Sequence, residues 1–156
     1  MKTHKLSLFL SAVALAAFAL ISPTSSFAQD GGGDPKTQVA DFYTLCKQGK
    51  ASEALEKALA NSEMVKPEDS KRVAEAFAQM VSTMGSFIDY EITREANVTK
   101  RSVVLRCVAH YANQPFVNEF TFYDPGSNGW RLVHLRYDAN PATMFQRDLA
   151  DMLLKK

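Results

Sequence analysis

The spacing of apolar residues changes once along this chain, and this change limits the possible folds more than any other feature. Up to residue 85, apolar side chains recur every three or four residues, and from residue 88 they alternate with polar ones. The first spacing places side chains on one face of a helix, and the second places them on one face of a strand. Helices and strands are therefore segregated along the chain, which indicates an α+β fold.

Three helical segments come first. The pattern predicts helices over 37–48, over 52–60 and from Pro67 to the residues before Gly85. Gly49 and Gly85 stand where glycine commonly ends a helix, and Pro67 stands where proline commonly begins one.

Four alternating segments follow, over 88–93, 103–111, 116–122 and 130–137, with short turns between them. Short connections predict an antiparallel meander, one face of which must pack against the helices because a lone sheet has no other core. Asn140 and Pro141 can begin a C-terminal helix. Its inner stripe would comprise Phe145, Leu149, Met152 and Leu153.

The first 28 residues are typical of a cleavable signal peptide. Lys2 and Lys5 precede an apolar run from Leu6 to Ile21, and Ser26-Phe27-Ala28 supplies the small residues of a cleavage site. The run is shorter than the ~20 residues that span a bilayer. We therefore expect a periplasmic or secreted protein with no stable membrane anchor. Residues 29–36 would form a flexible tether, and 37–156 a single domain.

The charge of the mature chain is nearly balanced. The sequence has 18 Lys and Arg and 17 Asp and Glu, and removal of Lys2 and Lys5 leaves a net charge of −1. Without a basic cluster, nucleic acid and anionic membranes are poor partners. The sequence also contains no recognisable cofactor or metal motif.

Two cysteines, Cys46 and Cys107, lie in the mature domain. An even number in an oxidising compartment favours a disulfide, and both residues are predicted to face the interface between helices and sheet. The alternative is two buried free thiols that pack as small apolar side chains. The sequence leaves both open.

Alternation along the strands predicts the two faces of the sheet. The inner face would carry Ile88, Tyr90, Ile92, Val103, Leu105, Cys107, Ala109, Tyr111, Phe116, Phe120, Phe122, Val133, Leu135 and Tyr137. The outer face would carry Asp89, Glu91, Arg106, His110, Glu119, His134 and Arg136. Acidic and basic strands then alternate across the sheet, which is typical of a solvated, salt-bridged surface.

The outer face offers the few residues suited to proton transfer. His110 and Glu119 could serve as an acid/base pair, although an open face would not exclude water. His110 and His134 lack a third ligand at a recognisable metal spacing.

The inner face is rich in aromatic residues. These could be ordinary core, or they could surround a small apolar ligand, with hydroxyl groups as the polar points. The pocket hypothesis names Tyr43, Phe77, Met80, Tyr90, Tyr111 and Tyr137.

Particular residues also resemble a known family. Phe42-Tyr43 and Gly49 in the first helix, Gly85 after the third, and Gly129-Trp130-Arg131-Leu132 at the last strand resemble the nuclear transport factor-like, cystatin-like superfamily. The resemblance covers residues 37–137 and extends to small exported bacterial members of unknown function. It implies a cone in which a bent antiparallel sheet wraps helices.

Members of this superfamily include isomerases, dehydratases, ligand carriers and noncatalytic dimerising domains. This chain differs in its C-terminal helix and in lacking the inward Asp–His pair of the enzymatic members. We therefore expect a noncatalytic domain that binds a small apolar ligand or a protein partner. The alternatives are a small isomerase- or hydrolase-type enzyme that uses His110 and Glu119, and a homodimer formed through the outer Val104, Val108 and Leu132.

Overall fold

The computed structural model describes residues 33–60, 62, 65–127, 129–138, 140, 142, 145 and 146. The predicted signal peptide, half of the tether and most of the predicted C-terminal helix lie outside these residues. The elements are α1 (Pro35–Lys47), α2 (Ala51–Leu59), α3 (Pro67–Ser82), β1 (Phe87–Thr99), β2 (Ser102–Tyr111), β3 (Pro115–Tyr123) and β4 (Arg131–Asp138). The strands form one antiparallel sheet in the order β1-β2-β3-β4, so the predicted α+β class is confirmed. No helix in the described part is long and apolar enough to cross a membrane.

Helix α1 begins two residues before the predicted start. The Asp34 carboxylate accepts hydrogen bonds from the backbone N–H groups of Lys36 and Thr37, and Pro35 occupies the first helical position. Both features stabilise a helix N-terminus, because they satisfy or remove N–H groups that have no partner within the helix.

The start of α1 contacts both edges of the sheet. Lys36 Nζ lies 2.7 Å from Glu95 Oε2 on β1, and the Gln38 side-chain amide donates a hydrogen bond of 2.9 Å to the Trp130 carbonyl just before β4. The hydrogen bond with Glu95 raises the pKa of Lys36. These contacts fix the direction in which α1 crosses the inner face.

A glycine fixes the passage from α3 to β1. Gly85 has a φ of +89°, and the backbone N–H groups of Ala112 and Asn113 donate to the carbonyls of Ser86 and Met84 at 2.9 Å each. A Cβ at Gly85 would lie 3.0 Å from the Ala112 Cβ. The end of α3 is therefore held against the turn between β2 and β3.

The core lies between the three helices and the inner face of the sheet. It includes Val39, Phe42, Tyr43, Leu55, Ala74, Phe77, Met84, Val103, Leu105, Cys107, Phe116, Phe120 and Leu132. The predicted separation of an apolar inner face from an outer face holds for β2 and most of β3.

A bulge near the start of β1 changes which side chains face inward. Phe87 pairs with Tyr111 and Asp89 with His110, so Ile88 is an extra residue between them. Phe87 then packs against the core, whereas Ile88 is 56% exposed. The prediction of an inward Ile88 is wrong, because a single extra residue reverses the alternation.

A second irregularity has the same effect on β4. Phe122 pairs with Leu132 and Thr121 with His134, which leaves Val133 as the extra residue. Leu132 is buried with Phe122, and Val133 is exposed. The predicted inward Val133 and the predicted outward Leu132 are therefore both wrong, and Leu132 cannot serve as a surface contact between two copies.

The outer face is less solvated than its charges predicted. Arg106 is only 7% exposed, and Val108 and Val117 form a small buried cluster of their own. Arg106 lies opposite Glu119 on β3 but opposite Arg94 on β1, because β1 contains a further shift at Thr93. The middle of this face is thus a covered surface.

Candidate functional site

An asparagine lies at the centre of the aromatic core. Asn118 is on β3 between Phe116 and Phe120, and it is 1% exposed. Its side-chain Nδ2 donates a hydrogen bond of 2.7 Å to the Tyr43 hydroxyl on α1. This contact places an amide and a phenol together, away from solvent.

Cys107 completes this polar centre. It pairs with Asn118 in the β2–β3 register, and the Tyr43 side chain partly offsets the rise that burial causes in the pKa of its thiol. Burial raises the pKa of Tyr43 well above its ordinary value and raises the pKa of Cys107 to about 12. All three side chains are therefore uncharged at neutral pH.

One atom of the polar centre has no hydrogen-bond partner among the described residues. Within the described residues, no group donates a hydrogen bond to Asn118 Oδ1, although the atom is fully buried. Leaving a buried acceptor unsatisfied costs about 1–3 kcal/mol, and such atoms are rare in folded proteins. A bound water or a ligand with a hydrogen-bond donor would remove this cost.

The predicted pocket residues surround this centre as a cluster of touching rings. Tyr43 stacks on Tyr90 with 4.1 Å between ring centroids, and Phe77 meets Tyr137 at 5.7 Å. Tyr111 contacts Phe116 and Phe87, and Met80 packs at the margin of the core. The five aromatic residues of the pocket hypothesis therefore belong to one network of ring contacts, joined through Phe42 and Phe116, and Met80 lies at the margin of the core.

Among the described residues, the cluster reaches solvent near the polar centre at Tyr137 and, to a smaller extent, at Tyr90. Tyr137 lies opposite Asn118 on β4 and is 41% exposed, whereas Tyr43 and Phe77 are buried. Tyr90 is half-buried, and its pKa is raised by burial. Tyr137 is therefore the exposed ring on the strand next to the buried Asn118.

Sequence reasoning did not single out Asn118. The signal was present, because Asn118 occupies the inward position between Phe116 and Phe120 in an alternating strand. A polar residue at an inward position needs a hydrogen-bond partner, and this requirement marks it for attention.

His110 and Glu119 lie apart on the outer face. His110 pairs with Pro115 and Glu119 with Arg106, four positions apart along β3 and thus about 13 Å. His110 Nε2 is 3.6 Å from Glu91, whereas Glu119 Oε2 accepts hydrogen bonds from Arg106 Nε and Nη2 at 3.1 and 2.9 Å. The structure gives each residue its own charged neighbour and does not bring the two together.

His134 lies opposite Thr121 on the same face. Over the part of the chain that the structure describes, no three potential metal ligands cluster.

The two cysteines are free thiols in the structure, so the disulfide considered from the sequence is not formed. Both are buried in the main core. Besides burial, each contributes to the raised pKa of Tyr43, and Cys46 also contributes to the raised pKa of Tyr111. Burial raises the pKa of each thiol to about 12, which makes both poor nucleophiles at neutral pH.

Comparisons with known proteins find likeness in solved structures alone. No protein-family model matches the chain, and no curated protein matches it. A DUF4783 family protein from Bacteroides ovatus is 13% identical, with a TM-score of 0.45 over 61% of this chain and 88% of that one.

Two further structures are described as NTF2-like proteins of unknown function. The one from Silicibacter pomeroyi is 17% identical, with a TM-score of 0.44 over 66% of this chain and 90% of that one. The one from Cytophaga hutchinsonii is 16% identical, with a TM-score of 0.38 over 70% and 93%.

Proposed function

We propose that the mature chain is an exported, noncatalytic domain that binds a small, uncharged, largely apolar molecule carrying one hydrogen-bond donor. The observation that carries the proposal is the buried Asn118 Oδ1, which has no donor among the described residues. A ligand hydroxyl or N–H at this position would satisfy it.

The surroundings of Asn118 favour an apolar ligand. Aromatic rings from α1, α3 and all four strands belong to the surrounding cluster, and burial of apolar surface against them contributes about 25 cal/mol per Å². The polar groups are an amide, a phenol and a thiol, which are uncharged at neutral pH. A charged ligand would lose its hydration without gaining an opposite charge.

Entry to the centre would occur at Tyr137. The rings around Asn118 already touch one another, so a ligand has to displace one of them. Tyr137 loses the least burial on moving, because it is already 41% exposed. We expect its ring to rotate outward and to close over the bound molecule.

A binding role is also favoured over catalysis by the chemistry of the centre. Efficient proton transfer needs a group whose pKa lies near the working pH. Burial raises the pKa values of Tyr43 and Cys107 far above neutrality, so neither is suited to this task. Export is proposed from the signal-peptide pattern of residues 1–28.

Phenol and toluene test the proposal because they match in size and differ in one hydroxyl. Each would be titrated into isotope-labelled mature protein while the Asn118 side-chain amide signals are followed by NMR. We expect phenol to bind about 5- to 10-fold more tightly than toluene, the worth of one hydrogen bond. Equal affinities, or no binding of either compound, would contradict the proposal.

A variant pair locates the binding. Tyr137→Ala opens the proposed entrance and should change the affinity and the exchange rate of phenol. Tyr123→Ala removes an exposed ring at the far end of β3 and should leave both unchanged. Native mass measurement of the exported protein adds a direct test, because a retained natural ligand would leave on denaturation.

A further inference from the structure

Two valines are buried on the side of the sheet that faces away from the helices. Val117 is 0% exposed, and Val108 opposite it is buried as well. They form a cluster separate from the main core, and none of the residues of α1, α2 or α3 belongs to it. A surface strand cannot bury a valine completely by itself, so this face has a cover.

We propose that the cover is the chain's own C-terminal segment, residues 139–156, docked as an amphipathic helix on the outer face around Val108 and Val117. The point where β4 ends supports this occupant. Asp138, the last residue of β4, pairs directly with Val117. The following residues therefore begin beside the buried cluster.

Side-chain hydrogen bonds after β4 form a turn and then cap the start of a helix. Asp138 Oδ1 accepts from the backbone N–H of Asn140 at 2.7 Å, and Asn140 Oδ1 accepts from that of Ala142 at 3.2 Å. The second contact is of the kind that a helix N-cap residue makes with the first turn.

The length and the pattern of the segment fit the surface. Residues 142–156 as a helix would span about 22 Å, and four strands are about 14 Å wide from the first to the last. The segment can therefore cross the whole sheet. Leu149, Met152 and Leu153 recur at helical spacing and would face the valines, whereas Phe145 at the start of the segment is 37% exposed.

One carboxylate of the segment can approach the basic groups of this face. One row across the outer face contains Arg94, Arg106, Glu119 and Arg136, three guanidinium groups to one carboxylate. On a helix, Asp148 lies beside the apolar stripe, where it can approach the arginine row, whereas Asp151 lies on the opposite side. With Arg147, Lys155 and Lys156 the segment has a net charge of +1, so its apolar stripe and not its overall charge favours the docking.

A second copy of the chain is the competing occupant. Covalent attachment favours the chain's own segment, because its effective concentration at an adjacent site is in the millimolar range or above. The chain's own segment would contact Val108 and Val117 within one molecule, whereas a second copy would contact them between two molecules.

Methyl NOE measurements on the full mature chain decide between them. We expect NOEs from the Val108 and Val117 methyls to those of Leu149, Met152 or Leu153, and we expect them to be absent between chains in a sample that mixes two labelling schemes. NOEs between differently labelled chains, or none to the segment at all, would overturn the proposal.

The Leu149→Asp variant gives an independent readout in a chain of full length. It should release the segment and shift the methyl signals of Val108 and Val117, while those of the inward Val103 and Leu105 stay in place. Val98→Asp, at an exposed position on β1, is the matched control and should move neither pair. Unmoved Val108 and Val117 signals in Leu149→Asp would count against the docking.

Discussion

The Asn118 Nδ2 atom lies 2.7 Å from the Tyr43 hydroxyl oxygen, and this hydrogen bond joins the middle of β3 to the middle of α1 inside an aromatic core. Neither group can turn to solvent instead, because both are almost fully buried. The contact therefore fixes the position of the helix on the sheet as well as the orientation of the amide.

Replacement of this hydroxyl should destabilise the protein. Tyr43→Phe keeps the ring and its stacking on Tyr90 but leaves the Asn118 amide without its acceptor. We expect a loss of about 1–3 kcal/mol in the free energy of unfolding, measured in urea. Tyr123→Phe, at an exposed ring, should change stability by less than about 0.5 kcal/mol. Equal effects of the two substitutions would contradict the assignment.

Gly85 is expected to resist substitution more strongly than Gly49. Both have positive φ, but a Cβ at Gly85 would meet Ala112 and Asn113 within 3.0–3.2 Å, whereas nothing lies within 4 Å at Gly49. Gly49→Ala should cost about 1 kcal/mol from backbone strain alone, and Gly85→Ala should cost about 2–3 kcal/mol. Thermal unfolding of both variants measures the difference, which would vanish if the contact at Gly85 were not formed.

The ion pair of Arg106 with Glu119 should matter far more than an exposed pair. Removal of one partner from a buried pair costs about 3–5 kcal/mol, and partial exposure of Glu119 places the expected loss for Glu119→Ala at about 2–3 kcal/mol. The exposed Lys71–Glu75 pair provides the control, since Glu75→Ala should cost less than about 0.5 kcal/mol. Denaturant unfolding would show similar losses in both variants if the outer face were solvated.

Stability should fall in alkaline solution because of the two thiols. Their pKa is 9.0 ordinarily and about 12 in the folded protein, so above pH 9 the unfolded state loses its thiol protons first. Below pH 9 both thiols are protonated in the folded and the unfolded state, so they leave the free energy of unfolding unchanged. Between pH 9 and pH 12 each thiol lowers it by about 1.4 kcal/mol per pH unit.

The Cys46→Ala variant isolates one of these thiols. Urea unfolding between pH 8 and pH 11 should show a shallower slope for the variant than for the parent chain. The buried Tyr43 and Tyr111 add to the fall at higher pH in both proteins, because burial raises their pKa as well. Identical slopes would mean that Cys46 is not protected from ionisation.

The order of elements could be read from the sequence because the change of apolar spacing is a property of local stretches. The faces of β1 and β4 could be read only in part. An extra residue at Ile88 and another at Val133 reverse the alternation, and both positions carry apolar residues that match the unbroken pattern. A register shift of this kind is visible only in the pairing with the neighbouring strand, which the sequence does not show.

The aromatic residues of the candidate site could be predicted from the sequence, but the buried Asn118 could not. The aromatic residues are apolar and periodic, so their inward direction follows from spacing. The role of Asn118 depends on Tyr43, which is 75 residues away in the chain, and on the hydrogen bond between them. No pattern among neighbouring residues in the sequence predicts a contact between two positions so far apart in the chain.

The irregular pairing of β1 has a consequence for the behaviour of the protein at high concentration. β1 and β4 are the two edges of the sheet, and a long, regular edge invites strands of other molecules to add to it. Three register shifts divide β1 into short stretches, and Glu91, Arg94 and Glu95 place charges along it. A foreign strand could therefore pair over only a few residues, so this edge is protected against amyloid-like stacking.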